Sequence, residues 1–373
     1  MVYKEKIKVL HIMGCGDVGG ISSVVLNYYK RIDRNRIQFD IALNGVSAGR
    51  NAKELQQLGA EIFVLPLKKT NRQKYIHTLR DILRNGHYDA IHVHENQTSY
   101  VALWIAKQEG VSCRIAHSHT MAPDLSVREY FRRMSGIILN PIYATKLIAC
   151  GTLAGDRVFG KRNMKNNKAM VLPNAVDCEK FRFDESARKR VRKEICADND
   201  FIQLMVGRLE SEKNVFFAIR ATLEFHKTRP ESLLLIAGEG TEKEEIQRFI
   251  KTNDASDYIK LLGNRSDVNE LMSAADVLML PSVYEGFPVV AVEGITNGLP
   301  VLLSDKITDE FKDYAGIRYL SINDTREWVE GLNEIAHNKS TDRLSGYETI
   351  KNSKLNIDNS VAMLQRIYES NAK

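Results

Sequence analysis

Short apolar runs alternate with amphipathic stretches of helical length along the chain. Such alternation predicts βα units, whose strands assemble into parallel sheets. In the first half the pattern predicts strands at 7–13, 39–43, 62–65, 90–94, 113–116, 146–149 and 169–172. In the second half it predicts strands at 201–206, 233–237, 259–262, 276–280 and 301–303. Helices are predicted between strands, for example at 21–31, 99–108, 215–228, 243–251, 268–274 and 288–297.

The length of 373 residues is typical of two domains. A charged stretch with little apolar periodicity, residues 181–192, predicts the linker. We therefore expect an α/β protein with one Rossmann-like domain at 1–182 and a second at 183–355. The segment 358–370 has the pattern of a helix. In two-domain folds of this type the final segment, here 356–373, often crosses back to the first domain.

Charge is distributed unevenly between the two halves. Residues 1–182 carry 28 Lys and Arg against 15 Asp and Glu, whereas residues 183–373 carry 25 against 32. A basic half suits an anionic membrane surface or an anionic acceptor, and no nucleic-acid-binding motif accompanies it. A solvated basic surface is the alternative. The basic and aromatic segment 126–134 could lie at a membrane surface, and it is equally compatible with a plain solvated helix.

The sequence carries no sign of membrane spanning or secretion. No apolar run approaches the ~20 residues of a membrane span, and no signal-peptide pattern opens the chain. The five cysteines are widely spaced without a CxxC pair, which excludes a disulfide framework and a cysteine zinc site. We expect a cytoplasmic protein that can contact the inner face of the cell membrane.

The strongest chemical signal is PSVYEGFPVVAVE at 281–293. A predicted strand ends just before it, and Pro288 suits the first turn of the helix that follows. The free N–H groups near residues 287–290 then form an anion site, assisted by the helix dipole. Glu285 and Glu293 flank this site, and an ionised carboxylate accepts two hydrogen bonds from a diol. We expect one to hold sugar hydroxyls and the other ribose hydroxyls, with solvated structural glutamates as the alternative.

A second loop, GRLESEKN at 207–214, follows the predicted strand 201–206. Arg208 can clamp phosphate oxygens with its planar fork, and Lys213 adds a point charge. Together they would neutralise a leaving diphosphate without a metal ion, and two solvated surface cations are the alternative. The DND at 198–200 spells the DxD metal motif of a different transferase fold, but we interpret it as a turn before the strand.

GRLESEKN, LLLIAGEG at 233–240 and EGFPVVAVE with its EX7E spacing resemble the nucleotide-sugar domain of family 4 glycosyltransferases. The first half fits through GG at 19–20 and LPNAVD at 172–177, although the family often has Gly where Ala175 stands. The resemblance spans nearly the whole chain and extends to bacterial exopolysaccharide and capsule transferases. It implies a retaining enzyme of the GT-B fold, in which two Rossmann-like domains with parallel sheets face a central cleft.

The resemblance also implies residue roles. Arg208 and Lys213 would hold the donor diphosphate, Glu293 the ribose, and Glu285 the donor sugar. The other implied donor-binding positions are Gly207, Gly238, Gly240, Gly286, Phe287, Pro288 and Val289. It further implies a nucleotide-sugar donor with uridine as its base, a saccharide or lipid-linked saccharide acceptor, and no metal or other cofactor.

The loop GCGDVGG at 14–20 contains GxGxxG, formed by Gly14, Gly16 and Gly19. A dinucleotide-binding fingerprint also needs an acidic residue at the end of the second strand, and Asp40 is a poor match. An NAD-dependent oxidoreductase is therefore an alternative function. The family resemblance implies instead that Gly16, Gly19 and Gly20 face the donor phosphates and the acceptor.

Histidines cluster at the ends of two predicted strands. His92 and His94 end one strand, and His117 and His119 lie at the end of the next. They could suggest a metal cluster, but no carboxylate pair or cysteine completes one, so we expect no metal. The resemblance implies a histidine against the donor sugar, for which His119 fits best and His117 is the alternate. Structural strand-end histidines are the remaining interpretation.

The sequence therefore predicts a retaining, metal-independent glycosyltransferase. Its catalytic set would be His119, Arg208, Lys213 and Glu285. A sugar-nucleotide epimerase of the same fold and a binding protein without turnover would use the same nucleotide site, so both stay open.

Overall fold

The computed structural model describes residues 6–14, 20–45, 49–119, 126–338 and 342–371. The chain folds as two compact units, one formed by residues 1–175 with 357–373 and the other by residues 176–356. The boundary between them lies a few residues before the expected position at 182. The final helix belongs to the first unit. No helix of the described residues is both long and apolar enough to cross a bilayer.

Within the described residues, seven parallel strands form the sheet of the first unit, in the order β3-β2-β1-β4-β5-β6-β7. The strands are β1 Ile7–Met13, β2 Ile37–Asn44, β3 Ile62–Leu65, β4 Ala90–Val93, β5 Cys113–Ser118, β6 Lys146–Ala149 and β7 Ala169–Val171. The helices are Gly20–Arg31, Arg50–Gln57, Arg72–Gly86, Ser99–Gln108, Val127–Tyr143, Thr152–Phe159, Lys161–Lys165 and Ile357–Asn371. A parallel sheet covered on both faces needs apolar strands throughout, so the polar His11 in β1 stands out.

Helices bury both faces of this sheet. On one face the helix Gly20–Arg31 shares a core with Leu364 and Tyr368 of the helix Ile357–Asn371. On the other face Tyr75 and Leu79 pack against the strands. The terminal helix therefore completes the core of the first unit, although 181 residues of the second unit separate it from the rest.

Six parallel strands, counted over the described residues, form the sheet of the second unit in the order β10-β9-β8-β11-β12-β13. They are β8 Phe201–Val206, β9 Ser232–Ala237, β10 Ile259–Gly263, β11 Val277–Leu280, β12 Val301–Ser304 and β13 Ile317–Leu320. The helices are Cys178–Phe181, Glu185–Glu194, Val215–Thr228, Lys243–Thr252, Val268–Ala274, Val289–Thr296, Arg326–His337 and Ser345–Lys351. Trp328 is fully buried in the core, where its ring packs edge-on against Phe217.

The charged run expected as a linker is largely the helix Glu185–Glu194. Asp184 caps the helix with its carboxylate. On the inner face, Arg188 and Arg192 both pair with Asp276, at 2.7 and 2.5 Å. This charged segment is therefore a packed helix rather than a linker, because two of its arginines point inward to one carboxylate.

The strand order reverses once in each sheet, between β1 and β4 in the first and between β8 and β11 in the second. Loops that leave the carboxyl ends of two such strands diverge to opposite faces and open a crevice for ligands. The candidate residues of the sequence lie mainly in the loops after these strands.

Candidate functional site

Three loops at the carboxyl edge of the second sheet hold one another through backbone hydrogen bonds. The amide of Leu209, after β8, donates to the carbonyl of Glu239, after β9, at 3.0 Å. The amide of Val283, after β11, donates to the carbonyl of Glu212 at 2.8 Å. The loops therefore form one platform, and a side chain on one is held at a fixed distance from those on the others.

Gly238 and Gly240 are required by this platform. A Cβ on Gly238 would lie 1.8 Å from the carbonyl oxygen of Gly207, and its φ of +157° already disfavours a side chain. A Cβ on Gly240 would lie 2.2 Å from the carbonyl oxygen of Leu209. Both glycines, expected near the nucleotide, thus permit the close approach of two protein loops.

Lys213 and Glu285 meet across two of these loops. Lys213 Nζ lies 2.9 Å from Glu285 Oε2, and the two side chains are 17% and 10% exposed. The hydroxyl of Ser282 donates to the other Glu285 oxygen at 2.6 Å. The structure therefore brings together two residues that the sequence placed on separate motifs, and it orients the carboxylate from both sides.

Arg208 lies at the exposed rim of the same platform. Its guanidinium is 2.5 Å from Glu212 Oε1, and its side chain is 64% exposed. Exposed ion pairs contribute only about 0–1 kcal/mol, so this guanidinium can exchange its carboxylate for another anion at small cost. Both predicted cations are therefore paired with carboxylates in this structure.

Glu293 lies in the helix Val289–Thr296 and is only partly exposed. Burial raises the pKa of its carboxyl to about 7, although nearby Lys180 acts in the opposite direction. No described residue donates a hydrogen bond to this carboxyl group. A desolvated carboxylate is costly without donors, and a pair of hydroxyl groups would supply them.

The helix Val289–Thr296 begins at Pro288 without a side-chain cap. Its first amides are therefore available to an anion, as the sequence pattern predicts. Phe287 is 7% exposed and packs against Phe311 with ring centroids 5.1 Å apart. Its side chain belongs to the core, so Phe287, like Gly286, can contribute only its backbone atoms to an anion site.

Five of the nine histidines stack at the carboxyl edge of the first sheet. They are His11, His92, His94, His117 and His119, and the centroids of neighbouring rings lie 4.0–5.4 Å apart. Burial lowers the pKa of His11 and His119 to about 3 and that of the other three well below 6.5. The rings are therefore neutral at physiological pH.

The nitrogens of these rings pair with one another. Two groups of three, His11 with His92 and His94, and His94 with His117 and His119, bring ligand atoms within 4.8 Å. However, His94 uses both nitrogens in hydrogen bonds, to His11 at 3.1 Å and to His119 at 2.9 Å. A metal ion would have to break these bonds. A metal-free site stays a prediction.

Gly16 and Gly19 of the glycine loop after β1 lie outside the described residues. Gly20 begins the helix that follows, and a Cβ there would meet nothing within 4 Å. Asp40, which the NAD alternative needs, is buried in β2 and accepts a hydrogen bond from the hydroxyl of Tyr88 at 3.0 Å. This engagement removes it from any ribose and weakens the NAD alternative.

Several residues of these two clusters were not predicted from the sequence. Glu212 pairs with Arg208, and Ser282 orients Glu285. Asn96 accepts a hydrogen bond from the His119 amide at 2.8 Å. His11 carried a signal, since it is a polar residue within an apolar strand.

Family models match both halves of the chain. Residues 18–180 match the model described as Glycosyltransferase Family 4. Residues 187–351 match the model described as Glycosyl transferases group 1. The two matches together cover nearly the whole chain and divide close to the boundary between the two units.

Two curated relatives match over nearly their full length. The chain is 30% identical to a protein of Bacillus subtilis strain 168 named as the glycosyltransferase EpsF, over 97% of this chain and 96% of the relative. It is 26% identical to the UDP-Gal:alpha-D-GlcNAc-diphosphoundecaprenol alpha-1,3-galactosyltransferase of Escherichia coli, over 97% and 95% of the two chains.

Solved structures show the same fold. HepE of Anabaena in complex with UDP aligns with a TM-score of 0.83 at 18% identity, over 97% of this chain and 100% of HepE. HepE in complex with UDP-glucose aligns with a TM-score of 0.77 at 19% identity, over 97% and 98% of the two chains.

Proposed function

This chain belongs to glycosyltransferase family 4, and we propose that it transfers a sugar from a uridine diphosphate sugar to a hydroxyl of a lipid-linked saccharide. It is an enzyme of the GT-B fold that uses a nucleotide sugar. We propose further that the anomeric configuration is retained and that the product enters exopolysaccharide or related surface-glycan synthesis. The donor and the diphosphoundecaprenol-linked acceptor in the name of the E. coli relative support this choice, as does the overall similarity to the B. subtilis glycosyltransferase.

The platform of the second unit supports a diphosphate donor. Lys213 and Arg208 supply two cations, and the uncapped start of the helix Val289–Thr296 adds oriented amides. Such preorganised charge stabilises the diphosphate as its bond to the sugar breaks. The single observation that carries the proposal is the Lys213–Glu285 pair, in which the cation that we assign to the diphosphate contacts a carboxylate suited to sugar hydroxyls.

The reaction then proceeds without a covalent enzyme intermediate. The donor bond between C1 and the phosphate oxygen breaks, and the acceptor hydroxyl attacks C1 from the same face. The acceptor proton passes to the departing phosphate oxygen, which the cations hold in place. His119 is the histidine we assign to a saccharide hydroxyl, with His117 as the alternate, because both rings are neutral and can hydrogen-bond a hydroxyl.

A transfer assay tests the donor and the need for a metal together. Purified enzyme is incubated with UDP- and GDP-sugars and an undecaprenyl-diphosphate-linked saccharide, and released nucleotide and glycosylated lipid are measured. We expect release of UDP that depends on the acceptor and is unchanged by EDTA. Release without acceptor would indicate hydrolysis, interconversion of the donor sugar would indicate an epimerase, and loss of turnover in EDTA would overturn the metal-free mechanism. Retention is read from the anomeric coupling of the product by NMR.

An exposed apolar stripe supports an acceptor at a membrane surface. Along the helix Val127–Tyr143, Val127, Phe131, Ile138 and Ile142 are 54–73% exposed. Their spacing of four, seven and four residues places them on one face of the helix. Arg128, Arg132 and Arg133 lie on the same helix. Apolar side chains flanked by arginines suit the headgroup region of an anionic membrane, so we assign this helix to peripheral membrane contact.

Vesicle sedimentation tests this contact. We expect the protein to sediment with vesicles containing phosphatidylglycerol and to stay in solution with phosphatidylcholine alone. The double variant Val127→Ser/Phe131→Ser should lose sedimentation, whereas Val64→Ser, which removes an apolar side chain 53% exposed elsewhere in the first unit, should not. Equal binding of all three proteins would remove the helix from this role.

A further inference from the structure

The five stacked histidines form two hydrogen-bonded chains. In one chain His11 Nδ1 lies 3.1 Å from His94 Nε2, and His94 Nδ1 lies 2.9 Å from His119 Nε2. In the other chain His92 Nε2 lies 3.0 Å from His117 Nδ1. Each chain therefore links rings through alternating Nδ1 and Nε2 atoms.

This alternation forces the rings of one chain to share a tautomer. A neutral imidazole has one N–H and one bare nitrogen, and each close N···N contact needs one of each. If His11 carries its proton on Nε2, its Nδ1 accepts from His94 Nε2–H. His94 Nδ1 must then accept from His119 Nε2–H. Protonation at Nε2 of one ring thus fixes Nε2–H in every ring of that chain.

Tyr368 connects the two chains. Its hydroxyl oxygen lies 2.7 Å from His92 Nδ1 and 3.5 Å from His11 Nε2. A phenol has one proton, so it can donate to one of these nitrogens while it accepts from the other. When it donates to His92, both chains hold Nε2–H; when it donates to His11, both hold Nδ1–H. The tyrosine therefore gives all five rings the same tautomer.

The distances select between these two states. A separation of 2.7 Å is typical of a hydroxyl donor, and 3.5 Å is the longest link of the network, so the hydroxyl donates to His92. All five rings then carry Nε2–H. Burial raises the pKa of Tyr368 well above 10 and lowers those of the histidines, so every member keeps its neutral form.

Each hydrogen-bonded chain ends in a ring nitrogen that lacks a hydrogen-bond partner among the described residues. His117 Nε2 and His119 Nδ1 are buried, and neither has a hydrogen-bond partner among the described residues. In the selected state His117 ends in an N–H and His119 ends in a bare nitrogen. The rings lie 4.0 Å apart between centroids. A hydroxyl group both donates and accepts, so a polyhydroxylated ligand satisfies this pair of ends.

We propose that Tyr368 is a positioning residue that locks the five imidazoles in the Nε2–H tautomer, so that His117 donates to, and His119 accepts from, hydroxyls of the bound saccharide. The saccharide identity rests on the proposed function. The tautomer lock does not, because it follows from the geometry of the free protein. Through this lock, a tyrosine of the final helix determines that His117 donates a hydrogen bond and that His119 accepts one.

Long-range ¹H–¹⁵N correlation spectra of the full-length, ¹⁵N-histidine-labelled protein test the lock directly. These spectra distinguish the Nε2–H tautomer, the Nδ1–H tautomer, the imidazolium and a metal-bound ring. Substitution of each histidine by Gln assigns its signals, and the remaining histidines at 77, 87, 226 and 337 serve as internal references. We expect Nε2–H in all five rings at pH 7. A ring of the network with Nδ1–H, a charged ring, or signals that change on addition of EDTA would each overturn the proposal.

Tyr368→Phe separates the lock from simple packing. Loss of the phenol oxygen leaves His11 Nε2 and His92 Nδ1 without a partner, so in each chain one buried N–H lacks an acceptor whichever tautomer the rings adopt. The Nε2–H tautomer then has no advantage, and we expect the five rings to populate the Nδ1–H tautomer as well. Tyr28→Phe is the matched control: it removes a buried hydroxyl that donates to the Pro173 carbonyl at 3.3 Å, outside the network. The control should leave all five tautomers unchanged.

Kinetics then connect the lock to the saccharide. Tyr368→Phe should lower kcat/KM for transfer by about 3- to 10-fold, the worth of one hydrogen bond, with UDP affinity unchanged. An unchanged kcat/KM beside the expected tautomer change would overturn the saccharide contact. If the wild-type protein shows no transfer at all, the proposed function fails, and the spectra still decide the lock.

Discussion

Glu293 makes the stability of the free enzyme depend on pH. Burial raises the pKa of its carboxyl in the folded protein to about 7, from an ordinary value of 4.5. Between these values the folded state binds more protons than the unfolded state, so stability falls as pH rises. The contribution of the protonated carboxyl is complete below about pH 4.5 and is lost as pH rises through about 7. A shift of this size corresponds to about 3 kcal/mol at most, and partial exposure reduces it to roughly 2–3 kcal/mol.

Glu293→Gln keeps the size of the side chain and removes its titration. We expect the free energy of unfolding of this variant to exceed that of the wild type by about 2–3 kcal/mol at pH 8 and to match it near pH 4.5. Urea unfolding from pH 4.5 to 8, followed by Trp328 fluorescence in a Trp104→Phe background, reports the second unit alone. Glu244→Gln, which changes an exposed carboxylate of the same unit, should follow the wild-type curve.

The same variant should also bind UDP more weakly, because it lacks the Glu293 carboxylate that we assign to the ribose. We expect UDP to raise the melting temperature of the wild type at pH 8 by mass action and to raise that of Glu293→Gln much less. The variant would thus be more stable when free and less responsive to nucleotide. Parallel stability curves for the two proteins between pH 4.5 and 8 would refute the burial argument. An undiminished UDP response would refute the assignment to the ribose.

The remaining predictions concern the other residues of the proposed site. Lys213→Met leaves the largely buried Glu285 carboxylate without its cation, so it should lose about 2–3 kcal/mol of stability in urea unfolding and about 10²–10³-fold in kcat. Addition of Glu285→Gln should restore most of the stability but not turnover; recovery of both would make the pair purely structural. Arg208→Ala should lower kcat by about 10²-fold without a change in melting temperature, because its ion pair is exposed; turnover equal to the wild type would exclude a role in leaving-group stabilisation. His119→Ala should lower kcat/KM by about 10²-fold with UDP affinity intact; a matching loss of UDP binding would show that the substitution acts through the fold.

Most of the fold was predictable because parallel strands buried on both faces leave continuous apolar runs in the sequence. The predicted limits of β1, β3, β6 and β8 agree with the structure to the residue. The strand β13, Ile317–Leu320, escaped prediction because it lies at the sheet edge and its four residues are only partly buried or exposed. An edge strand lacks the apolar run that identifies its central neighbours.

Only individual site residues that belong to a local sequence motif were predictable, and the contacts between motifs were not. Lys213 and Glu285 were each identified from a local motif, but their contact depends on the platform that the loops build. Tyr368 was not predictable as a partner of His11, because the two residues are separated by 357 positions and nothing local in either segment marks the other. Tertiary proximity, rather than spacing, decides which polar groups complete such clusters.

During synthesis the first unit cannot complete its core until the helix Ile357–Asn371 has been translated. The first unit leaves the ribosome early, yet the surface that Leu364 and Tyr368 cover stays bare until the whole second unit has been translated. At roughly 5–20 residues per second, that interval lasts about 10–40 s. An incomplete domain with an open apolar wall is prone to self-association during this time. A chimaera that exchanges the first unit must therefore bring its own final helix, and a late nonsense mutation would damage the domain that was made first.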